Sequence, residues 1–239
     1  SIKRTGATII GEFFQTAIQP QVSITVINQS DGSVEALVGG RGTKYSSLTL
    51  NRATATTRQP GSTFKTLSAF LPALDQKDMT LATVYDDAPY NYLDTNRPIR
   101  NYYKNYRGYS TIRSAITDSM NVVAAKTIAD VTPKTAFEYL TNLGFTTLVS
   151  SQSTFEGTTY SDINQSLALG GLTYGVTNLE LTNAYASIAN GGVYHTPKLY
   201  TRVVDQNGNV LLNNHTTSTR VMKENTAFLL TSAMEDVIS

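Results

Sequence analysis

The chain has 239 residues, of which 40% are hydrophobic, and this is enough to build one large domain or two small ones. Its formal net charge of +1 excludes the strong basic field of a typical nucleic-acid-binding protein. The absence of cysteine excludes disulfides and thiol catalysis. His195 and His215 have no neighbours at metal-ligand spacing, so both are predicted to lie in surface loops, and no apolar run approaches the ~18 residues of a membrane helix.

The first half of the chain alternates between hairpin and helix patterns. Residues 1–20 are predicted to form a linker or a leading helix, and the folded domain is expected to occupy residues 21–239. Alternating apolar residues from Val22 to Val38, on either side of a polar turn, predict a β-hairpin. Apolar residues at helical spacing then predict a helix over 62–74, kinked or ended near Pro72. Residues 86–108 are rich in tyrosine and asparagine without a period, and are predicted to form a long surface segment.

A second helical region is predicted from Ser110, as its N-cap, to Ala129, with a break at 119–121. Thr132 and Pro133 predict the start of another helix, which ends at Gly144.

The last third of the chain carries three further signals. Thr177 with Glu180 predicts a capping box at the start of a helix that stops at Gly191 and Gly192. Residues 200–212 predict a hairpin that turns at 207–208, and residues 226–238 an amphipathic helix. Hairpins interleaved with helices indicate an α+β fold, with helices packed on an antiparallel sheet.

The stretch RQPGSTFKTL places Ser62 and Lys65 three residues apart at the start of an apolar helix. Residues at this spacing have Cβ atoms about 5–6 Å apart, so the lysine amine can approach the serine hydroxyl. Burial lowers the pKa of a lysine and makes it a general base, which a serine nucleophile needs. The free N–H groups of a first helical turn would stabilise a developing oxyanion. Alone, the pattern equally fits an N-cap serine and a lysine whose amine reaches solvent.

The break at Ser119-Met120-Asn121 supplies a second polar cluster. The hydroxyl of Ser119 would relay a proton to a leaving group, and the amide of Asn121 would hold a substrate backbone and contact Lys65. Each residue alone also fits a helix cap.

Together these stretches resemble the class A penicillin-binding proteins, the bifunctional peptidoglycan synthases. NRATATTRQPGSTFK is similar to the active-site entry of that family, with VEALVGGR before it and GYSTIRSAITDSMNVVAAK after it. The pattern includes two of the three motifs of serine β-lactamases and penicillin-binding proteins, S-x-x-K and S-D-N, with Met120 in the middle place of the second. LALGGLTYGVTNLELTNAYASIANGGVY resembles a later helical region, and the likeness runs from about residue 21 to the end.

The resemblance implies the penicillin-binding, serine β-lactamase-like α+β fold and a DD-transpeptidase that uses no cofactor or metal. Ser62 would attack the penultimate D-Ala carbonyl of a peptidoglycan stem peptide, and β-lactams would trap it. Lys65 matches the base, Ser119 the proton relay and Asn121 the substrate-holding amide. It also implies an upstream glycosyltransferase domain, and a location at the extracytoplasmic face of the bacterial membrane, anchored by a segment outside these residues.

The third motif, Lys-Thr/Ser-Gly, does not follow Asn121 in this sequence. The nearest match, Arg4-Thr5-Gly6, precedes Ser62 and is interpreted as coincidence. We therefore expect the motif, one more strand and a closing helix in a segment beyond residue 239, and we expect the 239 residues alone to be inactive and incomplete in fold.

Three other functions remain open. A serine β-lactamase needs a carboxylate that activates water, and Glu180 superficially fits, although a capping role suits it better. A non-catalytic β-lactam sensor of the same fold would keep Ser62 and Lys65. The tyrosines of residues 90–109, with Arg97, Arg100, Lys104 and Arg107, would suit a carbohydrate or single-stranded nucleic acid, but a loop packed beside the cleft is favoured.

Overall fold

The computed structural model describes residues 2–5, 8–12, 20–44, 46–150, 153–155 and 158–238. They form an α+β fold, as predicted. In these residues every named strand belongs to a two-stranded antiparallel pair. The pairs are Ile2–Thr5 with Thr8–Glu12, Ile24–Ile27 with Val34–Val38, Thr57–Arg58 with Val176–Thr177, Val84–Asp87 with Gly108–Thr111, Tyr90–Asn91 with Pro98–Ile99, Ser153–Phe155 with Thr158–Tyr160, Val193–His195 with Ser218–Arg220, and Arg202–Val204 with Val210–Asn213.

Most residues of the buried core lie on the helices. The helices are Arg52–Ala55, a continuous helical run over 61–76, Ile112–Thr117, Asn121–Val131, Pro133–Asn142, Gln165–Leu169, Asn178–Ala189 and Glu224–Glu235. The helical run over 61–76 is central, since all its residues from 64 to 75 are buried. Phe64 packs edge-to-face on Phe145, with ring centroids 5.1 Å apart. Full burial of a large apolar side chain stabilises a fold by roughly 1.5–3 kcal/mol, so this run is the anchor of the domain.

The central run changes helix type along its length. It begins as a 3₁₀ turn at Gly61–Thr63, widens to a π-helix at Thr66–Phe70 and continues as an α-helix at Leu71–Gln76. Pro72 therefore neither ends the helix nor stands in its regular interior. It lies at the second position of the α-helical part, where its missing N–H is tolerated.

Most predicted boundaries are confirmed, and the capping box of Thr177 with Glu180 is present in both directions. The predicted N-cap at Ser110 is wrong by one residue. Ser110 is paired in a strand, and the side chain of Thr111 accepts the hydrogen bond from the Ser114 N–H. The closing helix begins at Glu224, two residues before its predicted start, and ends at Glu235.

One prediction of a loop and one of a helix are wrong. Residues 86–108 are mostly exposed, as predicted for a surface segment, although they include short paired strands and the buried Asp87 and Ile99. His195 ends a strand rather than lying in a loop, and its Nδ1 lies 2.8 Å from the Ser218 hydroxyl. In the leading segment, the described residues 2–5 and 8–12 pair as strands and not as a helix. Gly6 of the coincidental Arg-Thr-Gly match lies outside the described residues.

Among the described residues, no helix combines the length and the apolar character required to cross a membrane.

Candidate active site

Ser62 lies on a turn that is tied to the loop after the Gln165–Leu169 helix. Its side chain is exposed, and the preceding Gly61 has φ +56°. The Gln59 amide bonds to the backbone of Leu172 in both directions: its Nε2 donates to the carbonyl at 2.7 Å, and its Oε1 accepts from the N–H at 2.8 Å. This pair of hydrogen bonds fixes the segment that leads into Ser62.

The other side of the Ser62 turn is packed without space for a side chain. Gly170 has φ +69°, and a Cβ placed on it would lie 2.3 Å from the carbonyl oxygen of Gly61. The hydroxyl of Tyr185 donates to the carbonyl of Thr63 at 2.5 Å. The turn that presents Ser62 is therefore held from two directions, while its hydroxyl remains open to the surface.

Lys65 is buried beneath this turn, with 3% of its surface exposed. Its Nζ donates to the carbonyl oxygen of Ser119 at 2.6 Å and to the hydroxyl oxygen of Ser119 at 2.9 Å. Burial lowers the pKa of the Lys65 amine to about 8. A neutral amine has two N–H donors and one lone pair, so two hydrogen bonds to Ser119 leave the lone pair to accept a proton.

Ser119 adopts a backbone conformation that few residues other than glycine take, with φ +53°. It lies between the helices Ile112–Thr117 and Asn121–Val131, and its N–H donates to the carbonyl of Ile116 at 3.2 Å. Strained backbone of this kind persists only where the surroundings hold it. Here the amine of Lys65 binds both oxygens of the residue.

Asn121 is the first residue of the Asn121–Val131 helix, and its Nδ2 donates to the carbonyl of Arg100 at 2.7 Å. The sequence predicted a contact between Asn121 and Lys65. Among the described residues, the amine of Lys65 makes hydrogen bonds to Ser119 but to neither Ser62 nor Asn121. The structure thus places Lys65 in hydrogen-bond contact with Ser119, and Ser62 lies on the same helical run as Lys65. The side chain of Asn121 is instead bonded to the backbone of Arg100. The catalytic roles of all four remain predictions.

Sequence reasoning missed the residues that support these four. The described support residues are Gln59, Gly170, Tyr185, Asp87 and Asn101. Asn101 accepts a hydrogen bond from the N–H of Asn121 at 2.8 Å and is itself held by Asp87. No local pattern marks these positions: the buried Asp87 directly follows the exposed Asp86, and the sequence alone does not distinguish the two.

The tyrosine-rich segment mainly packs beside this site, as favoured. Tyr90 and Tyr92 pack on the buried cluster that includes Ile99. Tyr103 donates to Asp87, and the guanidinium of Arg107 lies 4.6 Å from the centre of its ring. These four side chains are held within the fold, whereas Tyr102 and Tyr109 of the same segment are exposed.

The carboxylate of Glu180 is fully occupied by hydrogen bonds within the fold. Its Oε2 accepts from the N–H and hydroxyl of Thr177 at 2.9 and 2.8 Å, and its Oε1 accepts from the N–H and hydroxyl of Thr146 at 2.9 and 2.6 Å. Burial alone would raise the pKa of the Glu180 carboxyl, but these hydrogen bonds outweigh it and hold the pKa below its usual range. A carboxylate with four donors is poorly suited to activating a water.

A metal centre finds no support in the described part of the chain. No group of three or more histidine, cysteine, aspartate or glutamate side chains is arranged there to hold an ion.

Comparisons with known proteins match this chain to one family. Residues 22–239 match the Transpeptidase family, described as the penicillin binding protein transpeptidase domain. The chain is 34% identical over 230 residues to penicillin-binding protein 1A of Clostridium tetani, which covers 93% of this chain and 28% of that protein. It is 34% identical over 223 residues to penicillin-binding protein 1A of Streptococcus pneumoniae, covering 92% of this chain and 30% of that protein.

A solved structure shares the fold. The PonA1 protein of Mycobacterium tuberculosis, in complex with penicillin V, is similar with a TM-score of 0.73 and 24% identity, covering 89% of this chain and 54% of that chain. The chain spans less than a third of the length of the two curated relatives above.

Proposed function

The chain belongs to the penicillin-binding protein transpeptidase family, and we propose that its cleft performs serine acyl transfer on the D-Ala-D-Ala end of peptidoglycan stem peptides. The observation that carries this proposal is the buried Lys65 amine, one helical turn after the exposed Ser62 and bonded to Ser119. A pKa of about 8 leaves part of this amine neutral near physiological pH, which suits a general base.

In the first step, the Ser62 oxygen attacks the penultimate D-Ala carbonyl carbon, and its proton passes to the lone pair of Lys65. The N–H of Ser62 lies in the first helical turn, where backbone donors have no acceptor within the helix, and it supports the developing oxyanion. The tetrahedral intermediate then collapses, the C–N bond breaks, and the D-Ala amine takes the proton through the Ser119 hydroxyl. An acyl group on the Ser62 oxygen remains.

In the second step, the amine of a neighbouring stem peptide attacks the acyl carbon and forms the cross-link, while Ser62 regains its proton. A β-lactam enters the first step in the same way, because its strained amide resembles the D-Ala-D-Ala end. The amide of Asn121, at the start of its helix, holds the substrate backbone in both cases.

A second wall of the cleft completes the proposal. We expect a following segment with the Lys-Thr/Ser-Gly motif to supply it and to extend the sheet beside the Ile24–Ile27 and Val34–Val38 hairpin. In that hairpin, the side chains of Ile24, Val26 and Val38 are between 41% and 49% exposed, and a further strand packed beside it would cover part of this apolar surface. An upstream glycosyltransferase domain and a position at the extracytoplasmic face of the membrane belong to the same proposal.

The test uses the full-length gene product and a fluorescent penicillin. We expect labelling, and mass spectrometry should find the penicilloyl group on the peptide that contains Ser62. The Ser62→Ala variant should lose the label, while Ser150→Ala, which changes an exposed serine elsewhere, should keep it. An adduct that survives Ser62→Ala would show that another residue is the nucleophile.

Turnover separates the enzyme from its two rivals. A transpeptidase releases D-Ala from a pentapeptide and forms cross-links, whereas a sensor is acylated once without releasing product in repeated cycles. A β-lactamase hydrolyses the penicilloyl adduct rapidly. We expect D-Ala release with slow loss of the adduct, since the Glu180 carboxylate is occupied by four donors.

A further inference from the structure

The N-terminus of the Asn121–Val131 helix is not capped by the residue that precedes the helix. Its N-cap residue, Met120, has no polar side chain and makes no capping hydrogen bond. The first N–H groups of a helix have no acceptor within it, and leaving them unpaired at a buried end is costly. In this structure the Oδ1 of Asn101 accepts from the N–H of Asn121 at 2.8 Å and from the N–H of Val122 at 3.2 Å. The cap is therefore supplied from a distant loop.

Asn101 is held in this role by Asp87. The Nδ2 of Asn101 donates to the Oδ1 of Asp87 at 2.6 Å. An ionised carboxylate only accepts hydrogen bonds, so the amide nitrogen must face Asp87 and the amide oxygen must face the helix. Asp87 thus determines which end of the Asn101 side chain meets the N–H of Asn121.

Asp87 is fully buried, with 0% of its surface exposed, and its carboxylate is completed by two more donors. The hydroxyl of Tyr103 and the N–H of Arg107 donate to Oδ2 at 2.8 and 2.9 Å. Burial of a carboxylate is unfavourable unless it is hydrogen-bonded, and here three donors fulfil that need. The carboxylate is a fixed point to which the loop over 101–107 is attached.

The same loop also holds the side chain of Asn121. Its Nδ2 donates to the carbonyl of Arg100, the residue next to Asn101. Two consecutive loop residues therefore hold the backbone and the amide of Asn121. On the other side of Met120, Ser119 is held by Lys65 in its strained conformation. The strained break between the two helices is fixed at both of its ends.

We propose that Asp87 and Asn101 are positioning residues, which act through the N-terminus of the Asn121–Val131 helix to fix the Asn121 amide for substrate. This inference rests on the proposed function, because it assumes that Asn121 holds the substrate backbone. It assigns a role in the reaction to a segment that neither touches Ser62 nor carries a catalytic motif. Asp87 and Asn101 determine where the substrate lies, and Lys65 with Ser119 determines how protons move.

A side-chain exchange tests this pairing. Asn101→Asp places two carboxylates against each other. Asp87→Asn replaces one of the two accepting oxygens at position 87 by an NH₂ group, so one of the surrounding donors loses its acceptor. The double variant restores every bond. Its amide at position 87 would donate to the carboxylate at position 101 and still accept from Tyr103 and Arg107, while the carboxylate at position 101 would cap the helix. Asn105→Asp makes the same change of charge at an exposed position of the same loop and is the matched control.

The measurement is the acylation of the full-length protein by a fluorescent penicillin, resolved into the dissociation constant of the non-covalent complex and the acylation rate constant. Misplacement of a reacting group by about 1 Å costs on the order of 10²-fold. We expect Asn101→Asp to lower the ratio of the rate constant to the dissociation constant by about that factor, mainly through weaker binding, and Asp87→Asn to lower it by about tenfold. In the double variant this ratio should return to within a few-fold of its value in the unmodified protein. In Asn105→Asp it should equal the value of the unmodified protein.

Thermal unfolding of each variant separates positioning from stability. All rates are measured well below each transition, and Asp87→Asn, the milder change, remains informative if Asn101→Asp does not fold. Equal acylation by folded Asp87→Asn and unmodified protein would overturn the positioning role, as would a double variant that recovers stability but not acylation. Absence of labelling in the unmodified protein would instead overturn the proposed function on which this inference rests.

Discussion

Each of the two sides of the candidate site is held in place by a different kind of interaction. The helical run that carries Ser62 and Lys65 is anchored by apolar packing, and every residue from 64 to 75 is buried. The loop that holds Asn121 is mostly exposed from 100 to 107, and it depends on a few polar contacts to Asp87. Apolar packing tolerates changes that keep volume, whereas a polar network depends on the identity of each donor and acceptor. The two sides should therefore respond differently to substitution.

The largest effect is expected on the helical side, at Lys65. Lys65→Arg keeps the charge but cannot release its proton near neutral pH, and Lys65→Met keeps the unbranched stem as far as the ε carbon but has no base. Loss of a general base costs roughly 10²–10⁴-fold, so acylation by a fluorescent penicillin should fall by that range in both variants. Lys134→Arg, at an exposed position, is the control. A near-normal rate in folded Lys65→Met would mean that another group takes the proton.

Gly170 tests the packing behind Ser62. A Cβ at this position would lie 2.3 Å from the carbonyl oxygen of Gly61, and the left-handed backbone adds strain. We expect Gly170→Ala to lower the free energy of unfolding by about 1–3 kcal/mol and to slow acylation by about tenfold or more. Gly171→Ala is the neighbouring control, because its Cβ would meet nothing closer than 3.5 Å. Similar stability and rates for the two variants would show that the Ser62 turn does not depend on this contact.

The pH dependence of acylation should report on the buried amine alone. Burial lowers the pKa of Lys65 to about 8, and only the neutral form accepts a proton. The rate constant should therefore fall about tenfold for each pH unit below 8 and level off above it. The Asp87→Asn variant should keep the same midpoint, since it changes the other side of the cleft. A midpoint that moves in this variant would indicate that the two sides are electrostatically coupled.

The smallest effect is expected on the loop side, at Tyr103. Tyr103→Phe removes one of the three donors to Asp87, so it should lower the free energy of unfolding by about 1–2 kcal/mol and change acylation only a few-fold. Tyr102→Phe removes a hydroxyl from a fully exposed neighbour and should change neither. Urea titration and labelling rates measure both quantities. A loss as large as that of Asn101→Asp would mean that Tyr103 does more than support the carboxylate.

The sequence predicted what depends on short spacing. The three-residue interval between Ser62 and Lys65, the break before Asn121 and the capping box at Thr177 are all local patterns, and the structure has these elements in the predicted places. The α+β class followed from the same hairpin and helix signals. The resemblance to a known family added the assignment of roles.

The supporting contacts were beyond the reach of the sequence. Asn101 and Asp87 lie in an aperiodic segment, and their partners are set by long-range packing, so the segment was interpreted as surface. Among the described residues, Lys65 makes no hydrogen bond to Asn121, although the sequence predicted a contact between them. Ser119, in its left-handed conformation, accepts both hydrogen bonds that the Lys65 amine donates. Spacing along a helix specifies neighbours on one element, but not which atom of another element is reached.

The π-helical turns at Thr66–Phe70 have a consequence for how this chain can change in length. In an α-helix each residue advances by about 100°, and a π-helical stretch accommodates one extra residue without breaking the helix. Deleting one residue within it would convert the stretch to α-helix and leave Ser62 and Lys65 at nearly the same angle relative to Leu71 and Leu74. A deletion in the α-helical part would instead rotate them by roughly 100° relative to the residues that follow. Only the second change would turn the end that carries Lys65 away from Ser119 while the rest of the helix kept its place. In this helix the position of a length change is as decisive as the identity of the residue lost, since it determines whether the angular phase between the candidate site and the core is kept.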